Sequence, residues 1–145
     1  MSITLSVPVT SGQAFLGTRD QVAAARAWAL AAVPLPRSHP RASDLATVVT
    51  ELATNAIRHS MSGARGGRYC LQVSLDPGST AERGAVELTC VDLGPGAGLQ
   101  DEREDACEGG RGLRLVRALV DAYSADQTPT SREVRCRLIW GGGPA

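Results

Sequence analysis

At 145 residues and 43% hydrophobic content, with no internal repeat, the chain has the size of one domain with a proper core. Its 15 cations and 15 anions cancel, which excludes nucleic acid as a partner held through bulk charge. All 15 cations are arginine, so any basic contact to a phosphate must come from a guanidinium or from backbone N–H groups.

Residues 3–9 alternate through Ile3, Leu5, Val7 and Val9, which predicts an amphipathic strand. Thr18-Arg19-Asp20-Gln21 has the pattern of a capping box and starts a helix. That helix carries Val22, Ala25, Trp28, Ala29 and Ala32 on one face and ends before Pro34 and Pro36. Pro40 and Ser43 introduce a second helix that runs to about Ser60. Its stripe is Leu45, Val48, Val49, Leu52, Ala53, Ala56 and Ile57, at offsets of 0, 3, 4, 7, 8, 11 and 12. A loop leads into a strand at 69–75, Asp76-Pro77-Gly78-Ser79 makes a turn, and a strand at 85–91 returns as a hairpin.

Residues 97–109 hold glycines and the charged run Asp101-Glu102-Arg103-Glu104-Asp105, and read as a mobile lid. Leu113, Val116, Leu119, Val120 and Tyr123 stripe the last long helix. Val134, Cys136 and Leu138 alternate inward on a final strand that ends near Trp140, and residues 141–145 read as a flexible, disordered tail. The expected order is β-α-α-β-β-lid-α-β. It predicts a single α/β (α+β) domain over residues 1–145, with its core at about 3–140. In it, helices cover one face of a mixed sheet, giving a two-layer sandwich.

Cys70, Cys90, Cys107 and Cys136 match no metal-ligand spacing. Cys70, Cys90 and Cys136 lie in strand-like runs and are expected to be buried thiols, while Cys107, in a polar loop, is the one expected to react. No basic start followed by a long apolar run is present, and no apolar stretch reaches membrane-spanning length, so a cytoplasmic protein without membrane contact is expected.

Chemistry concentrates in three places. Glu51 and Asn55 stand one helical turn apart, off the apolar stripe and beside Arg58 and His59. A carboxylate next to a neutral oxygen donor can hold a divalent cation and orient a proton acceptor; the alternative is a solvated helix face. Val91-Asp92-Leu93-Gly94-Pro95-Gly96 closes a strand, and Glu108-Gly109-Gly110-Arg111-Gly112-Leu113 opens a helix. Either glycine cluster alone is an ordinary loop. Asp92 ends a hydrophobic strand, where a buried carboxylate needs a partner, and is otherwise a solvated turn residue.

In this order the three segments resemble the ATP-binding domain shared by gyrase, heat-shock chaperone, histidine kinase and mismatch-repair ATPases, the GHKL superfamily. They are most similar within it to the small anti-sigma-factor serine kinases of bacteria. Residues 51–56 match the N box, 92–96 the G1 box and 110–113 the G2 box, and the resemblance covers roughly residues 3–140. It implies a Bergerat-type ATP-binding fold with ATP and Mg²⁺ as cofactors.

By that resemblance Asn55 ligates Mg²⁺, a hard cation content with one protein oxygen and several waters. Glu51 is placed as catalytic base for an attacking hydroxyl. Asp92 accepts from the adenine amine, and Gly94 and Gly96 let backbone approach the base. Gly110, Arg111, Gly112 and Leu113 form the phosphate-facing helix start. Arg111 is otherwise a solvated arginine, and His59 reads as a structural hydrogen bonder. The threonine-bearing motif that many relatives carry on the last strand is replaced by Thr130-Ser131-Arg132-Glu133-Val134, with Thr130 or Ser131 as its substitutes.

Two functions remain open at this stage. One is a serine kinase, an anti-sigma factor that phosphorylates a STAS-domain anti-anti-sigma protein. The other is a nucleotide-gated module that sequesters a sigma factor or other regulator without significant transfer. The expected partners are therefore a sigma factor and a STAS-domain protein, with a homodimer left open and no direct nucleic acid.

Overall fold

The computed structural model describes residues 7–94 and 110–141. Its elements are β1 (Val9–Leu16), α1 (Val22–Ala31), α2 (Pro40–His59), β2 (Arg68–Leu75), β3 (Gly84–Asp92), α3 (Gly110–Leu119), β4 (Ala122–Thr128) and β5 (Ser131–Trp140). The strands form one sheet in the order β1-β2-β3-β5-β4. β2 and β5 alternate, the central β3 is buried on parts of both faces, and their inward residues (Tyr69, Leu71 and Val73; Val86, Leu88 and Cys90; Val134, Cys136 and Leu138) share one core cluster with the helices. The helices lie on one face, as the two-layer α+β expectation has it.

All four strand pairings are antiparallel, where a mixed sheet was expected. The reason lies in the last crossover. The chain leaves β3, passes through α3 and returns as β4 parallel to β3. β5 then folds back between them, so no two adjacent strands run the same way.

α2 begins with Pro40 at its first position, where proline's missing N–H costs nothing, and His39 Nδ1 accepts from the Arg41 N–H at 3.0 Å. The whole predicted stripe from Leu45 to Ala56 is buried, and Ile57 packs partly against it. Arg41 then ties the helical layer to the sheet. Its guanidinium donates to Asp44 (3.0 Å), Asp121 (2.5 Å) and the carbonyls of Leu119 (2.7 Å) and Ile139 (2.9 Å).

Three expectations are corrected. β1 starts at Val9 and does not span 3–9; Ile3 and Leu5 lie outside the described residues, and Val7 and Val9 are exposed. As an edge strand β1 buries only Phe15, so Thr10 to Gln13 gave no apolar alternation to read. The Thr18 box opens one 3₁₀ turn without a side-chain cap, and α1 begins only at Val22. Finally, α3 stops at Leu119. Tyr123 belongs to β4, an exposed edge strand in which only this ring is half-buried, with the Arg117 guanidinium 4.7 Å over it. The predicted lid at 97–109 and residues 142–145 of the tail lie outside the described residues, as does Cys107.

Cys70 is exposed and not buried, because it occupies an outward position of β2. Burial pushes the Cys136 thiol from 9.0 up to about 12 and the Tyr69 phenol from 10.0 up to about 12, and pushes Cys90 further up in the same direction. These groups keep their protons in the fold at pH values where the unfolded chain loses them. The unfolded state therefore binds fewer protons, and stability falls as pH rises. Denaturant titrations are expected to give constant stability up to about pH 9 and a progressive loss from there towards about pH 12. Cys90→Ala should flatten the first part of that decline while lowering stability at neutral pH.

Candidate functional site

α2 carries Glu51 on the side that meets α3, and Asn55 one turn along. Glu51 is half-buried and Asn55 is buried, which removes the solvated-face alternative for Asn55. Gly112, in the first turn of α3, lies directly against the acid. A methyl group there would sit 2.7 Å from Glu51 Oε2, so only a glycine leaves the carboxylate where it is. The N-terminal turn of α3 and the acid of α2 are thus in contact, at the helix end where unpaired N–H groups favour negative charge. Gly110 opens α3, and Arg111 follows in its first turn; the Arg111 side chain lies outside the described residues. Leu113 turns inward and packs on the core.

A second junction sets the end of β3 against the end of α2. Ser60 closes α2, and the short turn that follows is stitched to β3 by two bonds. The buried Ser62 Oγ accepts from the Leu93 N–H at 2.9 Å, and the Met61 N–H donates to the Gly94 carbonyl at 2.7 Å. Gly94 has φ +69°, and a Cβ there would meet the Ser131 nitrogen at 2.7 Å and the Pro129 carbonyl at 2.9 Å. Here glycine is required both by the backbone and by the β4–β5 turn packed on it. Gly96 lies outside the described residues.

Asp92 ends β3 with 5% of its surface exposed, which removes the solvated-turn alternative. Its carboxylate has its partners within the chain. Arg132 donates to Asp92 Oδ2 from Nε at 2.9 Å and from Nη2 at 2.6 Å, and the Gly94 N–H donates to Oδ1 at 2.8 Å. Arg132 Nη2 also donates to the Asn55 carbonyl at 3.3 Å, so one guanidinium joins the N-box helix to the end of β3. Directly across the sheet, Arg132 is the register partner of Asp92.

Arg132 and Ser62 are the site residues that the motifs did not point to. For Arg132 a signal existed. The inward phase of β5 read from Val134, Cys136 and Leu138 extends back two positions to residue 132, placing a guanidinium at an interior site that demands an anion. Thr130 and Ser131, named as substitutes for the missing threonine, are both exposed, Thr130 in the β4–β5 turn and Ser131 at the start of β5. Nothing in the local sequence marked Ser62, whose partner is 31 positions away.

A family model described as the histidine kinase-like ATPase domain matches residues 15–138. The chain belongs to the histidine kinase-like ATPase domain family. No curated protein matches it. The match runs across every element from the end of β1 to nearly the end of β5 and includes all three glycine-bearing or acidic boxes. The chain is thus an ATP-binding domain of the GHKL type.

The residues of this ATPase domain fit its nucleotide unequally. Where the phosphates of a nucleotide would lie, Glu51 against the start of α3 would supply an acid and helix N–H groups, and the buried Asn55, one turn along α2, a neutral oxygen. Among the described residues no group of three His, Cys, Asp or Glu could hold a metal alone, so a Mg²⁺ at Asn55 would take most of its ligands from phosphate and water. Where the resemblance would put the base, Asp92 Oδ2 is already engaged twice by Arg132, and among the described residues Oδ1 accepts only the Gly94 N–H. A separate hollow of about 330 Å³, lined by Arg19, Val22, Thr54, Ile57 and Arg58, lies towards α1 and includes none of Glu51, Asn55 or Asp92. Among the described residues no helix is long and apolar enough to cross a membrane.

Proposed function

We propose that the chain is an anti-sigma-type regulator that acts as an ATP-dependent serine kinase toward a STAS-domain protein in the cytoplasm. The observation that carries this reading is the contact of the Glu51 carboxylate with the first turn of α3, one helical turn from Asn55. Bound ATP would supply the phosphoryl group at that place. Asn55 Oδ1 would hold Mg²⁺, and the N–H groups of Gly110 and Gly112 would face the phosphates. Glu51 would take the proton of the partner's serine hydroxyl as that oxygen attacks. A module that only bound nucleotide would need the amide and the helix start but no base, and Glu51 supports the enzymatic reading on that ground. The Asp92–Arg132 pair favours the second reading, a nucleotide-gated binder of a sigma factor with little transfer, because it weakens the hold on the base.

The deciding experiment is incubation with γ-labelled ATP and candidate STAS-domain proteins, following label into protein. Transfer to serine supports the kinase; binding of a sigma factor without transfer to any STAS protein supports the module. A second prediction separates both from a chain that does not use the Asn55 amide. Asn55→Ala is expected to abolish Mg²⁺-dependent nucleotide binding in calorimetric titration, since no described acidic cluster nearby can take over the cation. Unchanged affinity in Mg²⁺ would reject Asn55 as the ligand.

A further inference from the structure

A carboxylate offers about four acceptor positions, and three of those on Asp92 are taken by Arg132 Nε, Arg132 Nη2 and the Gly94 N–H. The two bonds from Arg132 are charge-assisted and converge on Oδ2, while the pair is shielded from water on both sides. One acceptor position is left, on Oδ1, so a base amine could gain at most one bond to Asp92; competing for Oδ2 it would exchange a guanidinium for a weaker donor and strand a buried cation. Arg132 is also held by the Asn55 carbonyl and faces Asp92 in strand register, so its backbone already sets it in place.

We propose that Arg132 is the resident partner of Asp92 and the specificity-determining residue of the site, so that the chain selects its ligand by polyphosphate and Mg²⁺ and reads the base only weakly. This rests on the nucleotide site proposed above and adds what that site distinguishes. A threonine at 132 would free Oδ2 for a base amine, and the gain of one hydrogen bond of ordinary strength corresponds to about tenfold in affinity.

The test is calorimetric titration of the full chain, in Mg²⁺, with ATP, GTP and inorganic triphosphate, for the wild type and for Arg132→Thr. The wild type is expected to bind the three within about tenfold of one another, and Arg132→Thr to shift the ATP-to-GTP ratio towards ATP by about tenfold or more. A wild-type preference for ATP beyond about tenfold, or an unchanged ratio in a folded Arg132→Thr, overturns the proposal. The wild-type ratio decides alone if the variant does not fold. Failure of the underlying site has a different mark: triphosphate binding that is absent, or present but insensitive to Asn55→Ala, rejects the phosphate end whatever the base ratio is.

Discussion

Asp92→Ala is expected to cost about 3–5 kcal/mol of folding stability, the scale found when one member of a buried ion pair is removed. The substitution leaves the Arg132 guanidinium nine-tenths buried with only the Asn55 carbonyl of its three present bonds, and leaves the Gly94 N–H without its acceptor. The loss comes from the stranded cation and not from the worth of the pair. Replacing both partners, as in Asp92→Ala with Arg132→Leu, should therefore recover most of it. Urea titrations of the two singles and the double close the cycle. A single-mutant loss below about 1 kcal/mol, with no coupling in the double, would mean that the pair is not formed in solution.

That pair also shows where the sequence stopped being readable. Burial of α2 was legible because seven apolar residues repeat at helical spacing and a proline marks the start. β2 and β5 were legible because each has a helix-covered face and a polar one, and β3 because its largely apolar run returns from the turn at Asp76–Ser79. β1 and β4 were misplaced or missed because an edge strand with one neighbour needs little apolar surface, so residues such as Gln13 and Asp126 carry no period-two signal. In the site, Glu51 and Asn55 could be found from their spacing along one helix. The contact of Glu51 with Gly112 could not, since it joins positions 61 residues apart (112 minus 51) through tertiary packing. Asp92 was correctly read as a carboxylate in need of a partner. The partner was inside the chain, 40 positions on, and local pattern cannot choose between an internal cation and a ligand amine.

Glu51→Ala is expected to lower the proposed phosphoryl transfer to a STAS-domain protein by about 10²- to 10⁴-fold, the usual worth of a positioned general base. Binding of the Mg²⁺ nucleotide should be largely kept, because the proposed cation ligand is the neighbouring Asn55 and the proposed phosphate donors are the N–H groups at the start of α3. The contact with Gly112 sharpens the expectation. Glu51 Oε2 lies against that glycine, so Glu51→Gln keeps the packing and removes only the proton acceptor, whereas the alanine also opens space at the helix start. If the acid serves as base, the two variants should be impaired alike in single-turnover transfer and both should bind nucleotide. If Glu51 is only a spacer between α2 and α3, the glutamine should transfer at nearly the wild-type rate and the alanine alone should fail. Loss of nucleotide binding in both would instead put Glu51 among the groups that hold the cation, and the base would have to be sought elsewhere.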